Sequence, residues 1–209
     1  MCGRFSLWSD KNKILGHYGL SDAPDFTSSY NIPPSFDIPI VRDREGRELV
    51  NVHWGFIPHW AKDKKLQPIN ARADTVAKKP MFRDAFKHRR CLIPANGYFE
   101  WKVENGRKQP YFIKVKDAEL FSFAGIWSHW DSPDKTIESC AIITTDANPD
   151  TAKIHDRMPV IINPEDYDLW LTEGGEDLLR PYPGKMDAWL VSTRVNSPKN
   201  QGLDLIQRI

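Results

Sequence analysis

Cysteine is scarce in this sequence, with three residues at positions 2, 91 and 140. An odd number so widely dispersed makes neither a disulfide framework nor a metal-ligand spacing, and it fits a reducing, cytoplasmic compartment. Long apolar runs are missing too. No stretch reaches the roughly 18–20 residues that a membrane span needs, and no apolar segment follows the first residues, so neither a signal peptide nor a bilayer helix is expected. Of the six histidines, those in HWGFIPH and KHRRC lack zinc spacings, and no metal or cofactor is expected. Absence of a phosphate-binding glycine loop and of a serine-hydrolase elbow removes further enzyme classes. There is no repeat, no low-complexity tract and no linker long enough to divide the chain. An excess of one charge is also lacking, since 29 Lys and Arg face 28 Asp and Glu.

What remains is unevenly arranged. Residues 1–100 carry 16 Lys and Arg against 11 Asp and Glu, and the remainder carries 13 against 17. The densest basic run, KKPMFRDAFKHRR, sets six cations against one Asp. It reads either as a solvated helix face or as a track for a phosphate backbone. The acidic run PEDYDLWLTEGGED reads as a surface helix beginning at Pro164. KNKILGHYGL predicts a short helix capped by Ser9 or Asp10, and MFRDAFKHRR a second with Met81, Phe82, Ala85 and Phe86 on its apolar face. RELVNVHWGFIP, CLIPANGYFEW, PYFIKVK, LFSFAGIW and SCAIITTD are rich in β-branched and aromatic residues and predict strands. Strands outnumber helices without alternating with them, and 209 residues suit one domain spanning 1–209. The expected class is α+β with mostly antiparallel sheet.

The chemistry starts at MCGRF. Methionine aminopeptidases remove Met1 when the next side chain is small, and Cys2 would then carry an α-amine of pKa about 7.7–8.0 beside a thiol of about 8.5. A cysteine there can also be an accident of sequence, so partner groups decide. In INARADT, Asn70 and Arg72 lie two apart and point the same way in extended backbone, as an amide that orients a nucleophile and a guanidinium that grips phosphate would. An ordinary polar loop fits the same letters. In PANGYFEW, alternation sets Glu100 opposite Phe99 and Trp101. It is then either an exposed strand glutamate or a carboxyl whose pKa a pocket raises for acid–base work. In IHDRMPVII, His155 and Arg157 precede Met158 and Pro159 at the mouth of an apolar run, where loops carry function.

MCGRF, WGFIPHW, INARADT, CLIPANGYFEW, FAGIW, ITTDAN and HDRMPVII, in this order, closely resemble the SRAP family, the SOS response-associated peptidases understood as abasic-site processing proteins. The tail STRVNSPKNQGLDLI fits its C-terminal end. The resemblance implies a single SRAP-like domain with a barrel-like antiparallel core and flanking helices. It also implies a reaction in which the processed N-terminal cysteine traps the ring-opened aldehyde of an abasic site in single-stranded DNA as a thiazolidine crosslink. By resemblance Cys2 is the nucleophile, Asn70 orients it, Glu100 moves protons during ring opening and His155 assists imine formation and reversal. Arg4, Arg72 and Arg157, and Arg83 from the basic run, match DNA-backbone contacts. Pro34 and Trp60 lie where the family meets flanking bases, with Met158 and Pro159 beside them. The expected protein is a monomer in the cytoplasm, nucleoid-associated if bacterial, with abasic single-stranded DNA as partner and no membrane. Self-removal of Met1 and strand scission at the lesion are implied side activities. A cysteine peptidase or amidohydrolase with an N-terminal nucleophile is the alternative, and a non-covalent single-strand-binding module a third.

Overall fold

The computed structural model describes residues 2–133 and 135–209, and Met1, whose removal the resemblance implies, lies outside the described residues. Two sheets meet face to face. The first is antiparallel throughout and built from β1 (Phe5–Leu7), β2 (Ser29–Ile32), β7 (Gly97–Glu104), β8 (Arg107–Val115) and β13 (Met186–Leu190), in the order β13-β8-β7-β1-β2. The second contains β3 (Asp37–Asp43), β4 (Arg47–Trp54), β6 (Arg90–Ala95), β9 (Phe121–Asp131) and β10 (Thr136–Asp146). The sequence β10-β4-β3-β6-β9 closes on itself because β9 also pairs with β10, which makes a five-stranded barrel. Closure leaves no edge among these five strands. Short strands β5 (Asn70–Arg72), β11 (Arg157–Pro159) and β12 (Ile161–Ile162) attach at β10 and β9. The α+β class with a mostly antiparallel, barrel-like core is what the structure has, with two short parallel pairings where β10 meets β4 and β5.

Helix α1 (Lys11–Tyr18) begins at Asp10, whose Oδ1 accepts from the Lys13 N–H at 2.9 Å, and ends at Gly19 in the left-handed region at φ 66°. The capping carboxylate is worth about 1 kcal/mol. Helix α2 (Arg83–His88) is shorter than the basic run predicts, because Arg90 turns inward to open β6. Arg90 Nε donates to the Trp170 carbonyl at 2.5 Å, and its Nη1 donates to the Phe86 and Lys87 carbonyls at 2.9 and 3.0 Å. It thereby satisfies carbonyls left open at the end of α2. Arg89 pairs with Asp84, so the exposed cations of the run are Lys78, Lys79, Arg83 and Lys87. The acidic run is helical but irregular, 3₁₀ over Pro164–Asp166 and π over Leu169–Glu173. It is no merely solvated helix. Tyr167, Trp170 and Leu171 are buried, and Trp170 Nε1 donates to the Cys91 carbonyl at 2.9 Å.

The main core fills the space between the sheets. Phe5 of β1 packs edge-on against Trp54 of β4 and Phe123 of β9, with ring centroids 5.2 and 5.9 Å apart. A second cluster of Phe99, Phe112, Val191, Val195 and Leu205 lies on the other face of the first sheet, under the C-terminal segment. Strand β7 therefore has both faces covered over Tyr98–Phe99, and its alternation decides which side chain meets which core. Gly97 opens that strand because a Cβ there would stand 2.1 Å from the Phe112 ring. Gly97→Ala should cost about 1–3 kcal/mol through overpacking, whereas Gly16→Ala, with nothing within 4 Å inside α1, should gain about 0.5–1 kcal/mol. Urea denaturation of the two variants checks the opposite signs.

Candidate active site

Cys2 is fully buried just ahead of β1. Strand β5 runs parallel to β10 with Asn70 beside Ile142 and Arg72 beside Thr144. Ala71 turns into the core, so Asn70 and Arg72 share the opposite side of β5. Asn70 Nδ2 donates to the Cys2 carbonyl at 2.9 Å. Its Oδ1 is buried and has no hydrogen-bond partner among the described residues.

Glu100 reaches the same place from β7. Tyr98 and Glu100 occupy one face of that strand, and Phe99 and Trp101 belong to the second cluster on the other. The Glu100 side is buried, and burial raises its carboxyl above the usual carboxylate range, opposed in part by the field of His155. Burial also pushes the Cys2 thiol well above its ordinary value. The Glu100 carboxylate adds to that rise, and the Arg4 backbone N–H works against it. A thiol so placed is held protonated until a new charge or donor arrives.

His155 sits in the loop joining β10 to β11. That loop is clamped by Ala147 N donating to the Asp156 carbonyl at 2.9 Å, and by Asn148 Oδ1 accepting from Thr151 N at 3.2 Å. His155 Nδ1 lies 3.0 Å from the Arg157 N–H and 2.8 Å from Asp156 Oδ1. With Nδ1 accepting from that amide, the ring proton lies on Nε2. Glu100 and His155 line a cleft of about 480 Å³ with Trp101, Val103, Lys108 and Asn196.

The structure thus brings Cys2, Asn70, Glu100 and His155 to one locus. Arg72 is exposed beside it and pairs with Asp74, Nη2 to Oδ2 at 2.7 Å. Arg157 is buried, with Nη1 on Asp146 Oδ1 at 2.9 Å and Nη2 on the Thr144 carbonyl at 2.5 Å. Arg4 Nη1 donates to Asn31 Oδ1 at 2.7 Å and to the Val195 carbonyl at 3.0 Å, tying β1 to the C-terminal segment. Met158 and Pro159 are buried within β11, and the Asn148 N–H donates to Met158 Sδ at 3.3 Å. Pro34 is half-buried in the turn from β2 to β3, next to exposed Phe36. Trp60, 54% exposed, borders a small hollow with Pro58, Leu66 and Met81. Arg83 is exposed on α2. Asn196 and Lys108 line the cleft without any local sequence signal, since the 3₁₀ turn Thr193–Asn196 and strand β8 that carry them arrive from distant parts of the chain. Among the described residues there is no group of three or more His, Cys, Asp or Glu able to hold a metal, and no helix is long and apolar enough to cross a membrane.

A five-stranded barrel with a buried thiol, an amide, a carboxylate and an imidazole gathered beside it defines a class: a β-barrel protein with a thiol-centred polar site. The family model described as SOS response associated peptidase (SRAP) matches residues 1–198, and the chain belongs to that family. The abasic site processing protein YoqW of Bacillus subtilis is 40% identical, over 99% of this chain and 99% of its own. The abasic site processing protein YedK of Escherichia coli is 31% identical over 100% of both. A crystal structure of a Bacteroides thetaiotaomicron protein matches with a TM-score of 0.90 at 32% identity, covering 100% of both chains.

Proposed function

We propose that this chain processes abasic sites in single-stranded DNA, and that it does so by closing a thiazolidine on the lesion's C1′ with Cys2 once Met1 has been removed. The observation that carries the reading is the setting of Cys2: its carbonyl is held by Asn70, Glu100 acts on its thiol, and Asn70 Oδ1 lies buried with no partner among the described residues. The α-amine created by loss of Met1 is a donor of the kind that oxygen lacks. Orienting the amine in this way aims its lone pair at an incoming aldehyde.

The steps follow from the groups present. Glu100, whose carboxyl burial makes harder to ionise, gives a proton to the sugar ring oxygen as the cyclic hemiacetal opens, and the C1′ hydroxyl gives up its own. The neutral amine adds to the aldehyde carbon, and the carbinolamine loses its hydroxyl as water, with His155 supplying the proton. The thiolate then adds to the same carbon of the imine while the imine nitrogen takes a proton. One water is lost overall, and two new bonds join C1′ to a single residue. Holding both nucleophiles on Cys2 makes the second addition intramolecular.

DNA would approach along the side carrying Arg72, with the exposed Trp60 offering a ring for a flanking base to stack on, worth roughly 1–3 kcal/mol. A phosphate reaching Arg72 has only to displace exposed Asp74, whereas one reaching Arg157 has to replace Asp146. Arg72→Ala is expected to flatten the slope of log affinity against log salt by about 0.7, the value for one contact on a single strand. An unchanged slope removes Arg72 from the interface. The reading as a whole is tested by incubating processed protein with a uracil-glycosylase-treated single-stranded oligonucleotide. A heat-stable shifted band is expected. A shift that disappears on heating would leave a non-covalent binding module.

A further inference from the structure

The cleft that Glu100 and His155 line has a wall that the steps above do not use. Trp101 of β7, Lys108 of β8 and Asn196 of the turn Thr193–Asn196 contribute to it. Trp101 sets the orientation of the Asn196 amide. An indole N–H can only donate, and Trp101 Nε1 donates to Asn196 Oδ1 at 2.7 Å. The Nδ2 end of the same amide is left as a donor, and it has no hydrogen-bond partner among the described residues. Val195, which precedes Asn196, is fully buried in the second cluster and anchors the turn. Lys108 is exposed, cross-strand from Val103, and has no ion pair among the described residues, whereas neighbouring Lys102 is tied to Glu104 at 2.6 Å. Of the residues lining the cleft only Glu100 carries a carboxyl, and burial makes that one harder to ionise. A cation and an amide donor on one wall, with no carboxylate between them, are the complement of an anionic oxygen group.

We propose that Lys108 and Asn196 form a subsite for the phosphate on one side of the abasic nucleotide, the phosphate on its other side being held by Arg72. The inference rests on the abasic-site reading for its ligand. An abasic nucleotide within a strand has a phosphate on each side of its sugar, so a protein that seats the sugar at Glu100 and His155 has two charges to place. Arg72 comes from β5, which pairs with β10 of the second sheet. Lys108 and Asn196 come from β8 of the first sheet and from the C-terminal segment that covers its outer face. Gripped from both sheets, the sugar cannot slide along the cleft, and C1′ stays within reach of processed Cys2. The two donors divide the work. The ammonium of Lys108 supplies charge with little direction, and the Asn196 amide supplies direction because Trp101 fixes it.

The test uses a single-stranded oligonucleotide carrying one tetrahydrofuran in place of the abasic sugar, which has no aldehyde and cannot be crosslinked. Its affinity for processed protein is read by fluorescence anisotropy across a salt series. Lys108→Ala should flatten the slope of log affinity against log salt by about 0.7, the value for one contact on a single strand. Asn196→Asp keeps an oxygen for the Trp101 indole and replaces the free donor with a second carboxylate oxygen. It should weaken binding by about tenfold or more, as expected when a hydrogen bond to a charged group is lost. Two further oligonucleotides each carry one uncharged methylphosphonate, at the linkage 5′ or 3′ to the tetrahydrofuran. On one of them Lys108→Ala should have no further effect, and on the other Arg72→Ala should have none. An unchanged slope for Lys108→Ala, full affinity in Asn196→Asp, a Lys108→Ala effect of one size on all three oligonucleotides, or silencing of Lys108→Ala and Arg72→Ala by the same linkage overturns the subsite. No covalent step enters these measurements. Crosslinking of true abasic DNA without the Lys108 and Asn196 effects would remove the subsite and leave the abasic-site reading, and the effects without any crosslinking would do the reverse.

Discussion

Protein that retains Met1 is expected to form no heat-stable crosslink to abasic DNA, a loss of about a thousandfold or more relative to the processed chain. With Met1 in place, the nitrogen of Cys2 is an amide whose lone pair is delocalised into the peptide bond, and it cannot condense with an aldehyde to a neutral imine. The thiol alone could add only to a reversible hemithioacetal. What is lost is the intramolecular second step, for which effective molarities of about 10⁵ M or more are typical. Inserting an alanine between Met1 and Cys2 should disable the protein equally, although Asn70, Glu100, His155 and the thiol all remain. Intact-mass spectrometry of a mixed preparation checks this directly, because only the population lighter by one methionine residue should gain the mass of the oligonucleotide. Equal crosslinking by the blocked form would make a thiol-only hydrolase the better account.

Glu100→Gln is expected to slow crosslinking by about 10²–10⁴-fold, the range spanned by a general acid or base. The effect should be largest where the sugar must first open and should largely vanish with a simple aldehyde that has no ring. The same substitution bears on stability. Burial raises the Glu100 carboxyl above its usual value, so the folded state holds the proton more tightly than the unfolded state does. The group's stabilising contribution is therefore complete below the ordinary carboxylate range and is lost as pH rises through the raised value. Glutamine cannot ionise. It should raise the thermal midpoint near pH 8 and leave it little changed near pH 4, and paired melting curves would show whether that sign holds. A side chain that weakens the fold at neutral pH while serving the chemistry is the expected mark of a functional carboxyl.

Several of these features could be read from local spacing. Two-residue alternation in PANGYFEW places Glu100 with Tyr98 and away from Phe99 and Trp101, and the division of β7 between two core clusters follows it. The same rule puts Asn70 and Arg72 on one side of β5, although a three-residue strand parallel to β10 is not announced by INARADT itself. Long-range closure was not legible. The barrel depends on β10 pairing with β4, from more than eighty residues earlier, and on its pairing with β9. Arg4 and Val195 are 191 residues apart, so nothing near MCGRF reveals that the guanidinium ties the first strand to the C-terminal segment. Arg90 was obscured for a related reason. Its neighbours suggest a solvated basic helix, but the carbonyls it satisfies include that of Trp170, eighty residues away. Charge runs and helical periodicity report local preference, and tertiary partners decide which cations turn inward.

The central claim is that both nucleophiles of processed Cys2 end on one carbon of the lesion. Its most direct test is tandem mass spectrometry of the N-terminal peptide after processed protein has reacted with an abasic oligonucleotide and the DNA has been trimmed by nuclease. The account predicts a peptide beginning at Cys2, heavier by the abasic sugar and its residual phosphate less one water, in which neither the amine nor the thiol can be labelled. An adduct on Cys91, Cys140 or a lysine, or a Cys2 adduct whose thiol still accepts an alkylating reagent, would contradict it.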